Sequence, residues 1–218
     1  MEANQFYLAD YGCSCSVWQT SPESDYVLKA TMDPLVIKFN DELIKNGKQY
    51  GLPEVEEFPL CDFFENSSYI LERSGTDKRK TIPANCLQNY SNAFAFLLSD
   101  TKRLTPLFKV YKTKRYKHYY SGDKDFKEDF EAIIDVIRRE SSSRIFNNTD
   151  EKINAMGMWL GLIAGMASIP KEFKKAISNV QYIAKEIQNP WKFDCSATNF
   201  MINDNYEIII NDPFSPIL

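Results

Sequence analysis

The order of apolar and polar residues predicts a strand-rich amino-terminal part followed by a helix-rich part. Short apolar stretches bounded by turn residues predict strands at residues 6–8, 11–18, 26–29, 58–64 and 68–72. Between the third and fourth of these, apolar residues recur at helical spacing from Pro34 to Asn46. Pro34 favours a helix start and Gly47 a helix end. The first part is therefore predicted to contain five strands and one helix.

The remainder of the chain has the pattern of helices and one late hairpin. Helical spacing predicts helices at residues 85–99, 125–139, 150–168 and 171–187. After Pro190 the apolar period changes to two, and residues 200–202 and 208–210 flank an Asn-Asp-Asn turn. We expect an α+β fold of two lobes, with residues 1–75 forming a small antiparallel β lobe with one helix and residues 76–218 a mainly helical lobe. The boundary is predicted at residues 73–81.

One predicted helix is unusually apolar. Residues 155–170 include no charged side chain, and Gly157, Gly161 and Gly165 recur at every fourth position. Such spacing lets helices approach closely in membranes. The stretch is shorter than the roughly 20 apolar residues that a spanning helix needs, so a buried helix at the centre of the second lobe is favoured.

Composition narrows the class of protein. The chain has 218 residues, of which 44% are hydrophobic, and a net charge of −4, which argues against binding to nucleic acid by charge alone. Five dispersed cysteines and no apolar segment behind Met1 indicate a reducing, cytoplasmic location with free thiols. The only histidine, His118, lies in a basic run, so a zinc site or a Ser/His/Asp hydrolase is not expected.

The residues with the clearest chemistry lie near the carboxyl end. Asn199 follows Asp194 by five residues and Asp212 follows Asn199 by thirteen, and the predicted hairpin lies between the last two. Transfer of a phosphoryl group from a nucleotide requires one carboxylate near the acceptor hydroxyl, and a carboxamide and a second carboxylate as oxygen ligands of Mg²⁺. The spacing suggests this chemistry, and the hairpin would bring the three side chains together.

The same segment resembles the protein kinases, and most closely the early serine/threonine kinases of T-seven-like bacteriophages. The resemblance rests on Phe193-Asp194, on Asn199-Phe200-Met201 and on Asp212-Pro213, where other kinases have Asp-Phe-Gly. It implies a bilobal protein-kinase-like fold with ATP and Mg²⁺ between the lobes. It further implies that Asp194 is the catalytic base and that Asn199 and Asp212 are metal ligands.

The resemblance extends to the first lobe. It implies that the small-residue run Gly12, Cys13, Ser14, Cys15 and Ser16 covers the phosphates, although only one glycine is present. Lys29, in Val27-Leu28-Lys29-Ala30, has the position of the phosphate-pairing lysine, and a solvated strand-end lysine is the alternative. Glu42 is implied as its ion-pair partner, although Asp41 and Glu42 could both be plain surface residues. Glu72 is implied to lie at the hinge, at the nucleotide.

Departures from the kinase pattern leave alternatives open. The sequence stops at Leu218, six residues after Asp212, so we expect no activation loop, and docking of peptides would fall to residues 85–148. The resemblance implies host proteins, of the transcription or translation machinery, as substrates, in a host cytoplasm and without a membrane partner. The rival functions are a small-molecule phosphotransferase of the aminoglycoside type and a catalytically silent binding protein. The basic and aromatic run at residues 109–120 could bind an acidic substrate or nucleic acid, but a solvated hairpin edge is expected.

Overall fold

The computed structural model describes residues 4–11, 15–64, 67–70, 108–119, 124–142, 157–158, 160–167, 169–187, 191–194 and 199–216. Predictions on residues 73–81 and 85–99, on Gly12, Cys13 and Ser14, and on Glu72 lie outside these ranges. The chain forms two compact units. Unit 1 comprises Met1–Ile37 and Glu56–Thr113, and unit 2 comprises Lys38–Val55 and Lys114–Leu218. The class is mixed α+β.

Unit 1 is built on a mixed sheet of six strands. The strands are β1 (Asn4–Tyr11), β2 (Cys15–Gln19), β3 (Tyr26–Thr31), β4 (Val55–Phe58), β5 (Ser67–Ile70) and β6 (Lys109–Lys114). Their order across the sheet is β4-β6-β3-β2-β1-β5. β1, β2 and β3 pair antiparallel as the sequence predicts, whereas β5 lies parallel to β1.

Helix α1 (Pro34–Asn46) has the bounds that the sequence predicts. Its amino end is capped by Asp33, whose Oδ1 accepts the backbone N–H of Leu35 at 2.8 Å. Its apolar residues at helical spacing are all buried, and these are Leu35, Val36, Phe39 and Leu43.

The predicted strand at residues 58–64 is wrong. β4 ends at Phe58, and α2 (Leu60–Phe64) is a short helix. Pro59 has no N–H to donate to a neighbouring strand, and its carbonyl instead accepts the N–H groups of Asp62 and Phe63, each at 3.1 Å. The helical turn buries Phe63 completely, with its ring 5.1 Å from that of Phe6. The core around this pair contains Phe6, Trp18, Leu28, Ala30, Phe63, Phe108 and Val110.

The run at residues 109–120 is not a solvated hairpin edge. Its first part is β6, which lies between β3 and β4 inside the sheet, and Val110 and Tyr111 are fully buried. Lys112 pairs with Glu56 at 2.7 Å, and its ammonium also lies 4.6 Å from the centre of the Tyr26 ring. The internal position of this strand was not predicted because its partners come from distant parts of the chain.

Unit 2 combines helices with two small sheets. Its helices are the second half of α1, α3 (Lys124–Ser142), α4 (Lys171–Ala184) and the helical residues 157–158 and 160–165. Its strands are β7 (Lys117–His118), β8 (Trp191–Phe193), β9 (Phe200–Ile202), β10 (Ile208–Ile210) and β11 (Phe214–Pro216). One sheet has the order β10-β9-β7, and β8 pairs with β11 in the other. The predicted helices at 125–139 and 171–187 and the late hairpin are confirmed.

The core of unit 2 is aromatic. Phe130 of α3 packs against Phe173 of α4 and Phe200 of β9, with ring centres 6.3 and 5.5 Å away. All three side chains are at most 2% exposed. The β9–β10 hairpin is therefore held against α3 and α4.

The apolar helix predicted at residues 150–168 is buried on one side only. Leu160 and Ile163 are buried, whereas Met158 and Leu162 are 67% and 53% exposed. A helix buried on all sides is therefore the wrong expectation for the described residues. Gly161 leaves room for Gln181 of α4, whose Nε2 donates to the carbonyl of Gly157 at 3.1 Å. In the ranges that the structure covers, no helix has the length and apolar character needed to cross a bilayer.

Candidate active site

Asp194 lies at the end of a short strand pair. β8 and β11 run antiparallel, with Phe193 opposite Phe214. One residue further on, the backbone N–H of Asp194 donates to the carbonyl of Pro213 at 2.8 Å. This bond places Asp194 beside the residue that directly follows Asp212.

Asn199 connects the same point to the hairpin. β9 and β10 pair with Phe200 opposite Ile210, and the carbonyl of Asn199 accepts the N–H of Asn211 at 2.8 Å. The Nδ2 of Asn199 lies 3.5 Å from the carbonyl oxygen of Asp194, at the long limit of a hydrogen bond. Asn199 is therefore adjacent both to Asp194 and to the residue that precedes Asp212.

Backbone hydrogen bonds thus gather three residues that the sequence separates by five and thirteen positions. Asp194, Asn199 and Asp212 are each half-buried, so their side chains keep access to solvent and to a ligand. All three residues lie at or just beyond strand ends, and the convergence of their side-chain oxygens on one ligand stays a prediction. The backbones of two aspartates and one asparagine are therefore close neighbours.

Aromatic packing anchors the β8–β11 strand pair. Phe214 of β11 lies between Trp191 and Phe39, with ring centres 4.8 and 5.6 Å away. Trp191 and Phe39 are each 1% exposed. The strand that follows Asp212 is therefore anchored in the core, which holds the site residues in position.

Gly51 also supports the hairpin, and the sequence analysis missed it. Its carbonyl accepts the N–H of Ile210 at 2.8 Å, two residues before Asp212. Its φ of +74° lies in the left-handed region, and a Cβ there would overlap the side chain of Ala176 in α4. The Gly-Leu-Pro sequence signals a turn, but not this close approach.

Asn203 organises the hairpin turn. Its Oδ1 accepts the N–H groups of Asn205 and Glu207, both at 2.9 Å, and its Nδ2 donates to the Glu207 carboxylate at 2.6 Å. Tyr206 in this turn has a φ of +60°. The predicted Asn-Asp-Asn turn is therefore confirmed, and its first residue supplies the side-chain bonds.

Lys29 lies in unit 1, on β3 opposite Val17 of β2. It is only 3% exposed, so the alternative of a solvated strand-end lysine is wrong. Burying an ammonium group is costly unless its charge is balanced by the protein or by a bound group. A buried lysine on an inner strand is consistent with a role in holding an anion.

Glu42 is also buried, at 3% exposure, so it is not a plain surface residue. Its carboxylate accepts hydrogen bonds from Lys38 at 2.8 Å and from Lys45 at 3.2 Å. The Lys38 bond is the main cause that lowers the pKa of Glu42 below its usual value, against the opposing effect of burial. The pairing of Glu42 with Lys29 stays a prediction.

Two of the predicted phosphate-covering residues fall within the described ranges, and both lie on β2. Cys15 is half-buried, forms no disulfide and lies opposite Thr31. Ser16 is buried, and its Oγ accepts the indole N–H of Trp18 at 2.8 Å. In this bond the Ser16 hydroxyl is the acceptor and keeps its own O–H as a donor, so it is burial that limits its contact with a phosphate.

The donor set fits magnesium. Asn199 and Asp212 offer the neutral and anionic oxygens that Mg²⁺ prefers, and this ion usually completes its coordination with phosphate and water. Among the residues that the structure covers, no cluster of three or more His, Cys, Asp and Glu side chains could hold a metal by itself.

No protein-family model, curated protein or solved structure matches this chain. A functional proposal must therefore be built on the site itself. The chemistry of Asp194, Asn199 and Asp212, and the burial of Lys29, provide that basis.

Proposed function

We propose that this protein is an ATP-dependent phosphotransferase that acts as a serine/threonine protein kinase. The observation that carries the proposal is the pair of backbone bonds, Asp194 to Pro213 and Asn211 to Asn199, which gathers Asp194, Asn199 and Asp212. Phosphoryl transfer needs little covalent chemistry from the protein, and depends on positioning and on charge neutralisation. Two carboxylates and a carboxamide on rigid strand ends meet that requirement.

Each residue has a separate role in this proposal. Asp194 accepts the proton of the substrate hydroxyl and orients its oxygen toward the γ-phosphate. Asn199 and Asp212 would hold Mg²⁺, which when bound neutralises charge on the phosphates. Lys29 would bind the phosphates directly, and Glu42 would orient the Lys29 side chain. The backbone N–H groups of residues 12–16 would cover the phosphates.

The substrate class follows from the resemblance of the site segment to bacteriophage kinases. We propose serine or threonine side chains of host proteins as acceptors, with residues of the chain itself as further candidates. The apolar Phe193 precedes Asp194, where kinases controlled by loop phosphorylation have an arginine. An enzyme that is active without such phosphorylation is consistent with this substitution.

The direct test is transfer of labelled phosphate from Mg·ATP to the protein itself, to host lysate and to a serine/threonine peptide library. Asp194→Asn and Asp212→Asn keep the side-chain volume and remove one charge each. We expect the first to lower the rate by about 10²- to 10⁴-fold, the usual contribution of a positioned base. The second should abolish magnesium-dependent turnover. Asp25→Asn is the matched control, since Asp25 is exposed in the β2–β3 turn.

Three outcomes would contradict the proposal. Retention of transfer by both variants would show that these carboxylates are not the reacting groups. Transfer to aminoglycosides but to no protein or peptide would favour the small-molecule enzyme. Stabilisation by Mg·ATP without any transfer would favour a binding protein. Ligand at 100 times its Kd adds about 2.7 kcal/mol to the free energy of unfolding, so a thermal-shift titration detects binding.

A further inference from the structure

A pocket in unit 2 lies outside the proposed active-site residues. It has a volume of about 260 Å³ and is open to solvent. Its lining residues come from the loop after α1, from α3, from the start of α4 and from the β9–β10 hairpin, and they are Tyr50, Phe130, Ile133, Pro170, Glu172, Phe173, Tyr206, Glu207 and Ile208. The volume is below the roughly 300–1,000 Å³ of pockets for drug-sized ligands, so it suits one side chain or a small molecule.

The pocket combines an apolar lining with acidic groups. Phe130 and Phe173 are almost fully buried, whereas Glu172 is exposed and Glu207 is half-buried. Within the described part of the chain Glu172 forms no ion pair, and Glu207 accepts a bond from Asn203, which fixes its carboxylate. An occupant with an apolar stem and a cationic end would satisfy both kinds of surface.

The charge at the pocket can be judged from Tyr50. Burial raises the pKa of the Tyr50 hydroxyl, and the negative charges of Glu207 and Glu172 raise it further. One face of its ring already lies 4.9 Å from the Lys175 ammonium, so this ring accepts a cation. The charge of Glu207 also acts on Lys48, but Lys48 forms an ion pair with Glu54. Both carboxylates therefore act on this hydroxyl.

Tyr206 adds a second aromatic ring at the rim. It is 58% exposed, and its φ of +60° is a conformation that costs a residue with a Cβ more than glycine. Glycine would fold more easily at this position. A strained, exposed aromatic ring beside two carboxylates is the arrangement expected where a ring contacts a ligand.

We propose that this pocket binds an organic cation with an apolar stem, such as an arginine side chain of a protein partner or a free alkyl guanidine. The stem would lie on the apolar lining residues that keep exposed surface, Ile133, Pro170 and Ile208, and the cationic end would lie between Glu172 and Glu207 beside the Tyr206 ring. The inference does not depend on phosphoryl transfer. Its test measures binding only, so failure of one proposal leaves the other standing.

The experiment is an NMR titration of the ¹⁵N-labelled protein with three probes. The first is a short acetylated and amidated peptide with one arginine, the second is the same peptide with citrulline, and the third is agmatine. Citrulline has the shape of arginine without its charge, so it isolates the electrostatic contribution. We expect saturable shifts at residues 206–208 with the arginine peptide, and an affinity lower by about tenfold with citrulline.

Protein variants locate the binding. Glu172→Gln with Glu207→Gln should lower the affinity for the arginine peptide by about tenfold, whereas Glu23→Gln with Asp25→Asn removes two exposed charges outside the pocket and should not change it. Tyr206→Gly should weaken binding while the melting temperature stays equal or rises, because glycine relieves the backbone strain. If Tyr206 had only a structural role, Tyr206→Gly would not weaken binding while leaving the melting temperature equal or higher.

The probes also distinguish the source of the cation. Tighter binding of the arginine peptide than of agmatine supports a protein side chain, and the reverse supports a free guanidine in the same pocket. Equal affinities for the arginine and citrulline peptides would overturn the proposal. Unchanged affinity in the double glutamine variant, or no saturable shift with any probe, would also overturn it.

Discussion

Replacement of Gly51 by alanine tests how the loop after α1 supports the candidate site. The backbone at Gly51 has a φ of +74°, and an added Cβ would overlap the Ala176 side chain and lie 3.0 Å from its Cα. The left-handed conformation costs alanine about 1–2 kcal/mol. Overpacking against α4 costs about 1–3 kcal/mol more. The lower chain entropy of unfolded alanine offsets about 0.4–1 kcal/mol. The expected net loss in the free energy of unfolding is about 3 kcal/mol.

Gly47→Ala is the matched control for this substitution. Gly47 has a similar φ of +69°, but nothing lies within 4 Å of a Cβ added there. Only the conformational cost remains, so its expected loss is about 1 kcal/mol. With a denaturant slope of about 2 kcal/mol per M, the urea midpoint should fall by about 1.5 M for Gly51→Ala and about 0.5 M for Gly47→Ala.

A second-site variant identifies the steric partner. Ala176→Gly removes the methyl group that the new Cβ would overlap, so in the Gly51→Ala background it should recover part of the lost stability, although glycine in a helix costs about 1 kcal/mol by itself. The double-mutant cycle should give a coupling of about 1–2 kcal/mol. Equal destabilisation by Gly51→Ala and Gly47→Ala, or a coupling near zero, would refute the reasoning.

Three further substitutions test the described packing. Glu42→Gln should lower the melting temperature at pH 7, and the difference from the wild type should shrink as the pH falls below about 4.5. The reason is that a carboxylate with a lowered pKa stabilises the fold above that pH and loses its Lys38 bond when it is protonated. A difference in melting temperature that is constant with pH would contradict this. Tyr116→Phe should cost about 1 kcal/mol in urea unfolding, since its hydroxyl oxygen accepts the Glu54 N–H at 3.0 Å, and an unchanged midpoint would show that water replaces it. Phe63→Ala should cost about 3–5 kcal/mol, because the ring is fully buried, and a loss below 1 kcal/mol would mean that the core around it can collapse.

Local pattern predicted the elements whose signals are short-range. Helix α1 has the predicted bounds because Pro34 and Gly47 flank an apolar stripe, and the β9–β10 hairpin forms around a turn that Asn203 organises. The strand predicted over residues 58–64 is wrong because Pro59 ends β4 and starts a helical turn. The position of β6 between β3 and β4 could not be predicted, since strand pairing over more than 50 residues leaves no local signature.

The candidate site also combines features that the sequence predicts with features that depend on the tertiary structure. The identities and spacings of Asp194, Asn199 and Asp212 are properties of the sequence, and the hairpin between the last two is readable from its period of two. Their adjacency depends on two backbone bonds. The bond from the Asp194 N–H to the Pro213 carbonyl extends the β8–β11 pair, and the bond from the Asn211 N–H to the Asn199 carbonyl extends the β9–β10 hairpin. The burial of Lys29 and Glu42 likewise depends on the environment of their elements rather than on their neighbours in the chain.

The amino-acid sequence by itself determined where most helices and strands begin and end, and which oxygen-bearing side chains were available for chemistry, because both depend on residue type and on spacing within a few turns. Only the tertiary structure decided which strands became neighbours, which charged side chains were buried and how closely Gly51 approaches α4. These outcomes arise from the packing of residues far apart in the chain, where excluded volume and the need to pair every buried polar group select one arrangement among many that the local pattern allows.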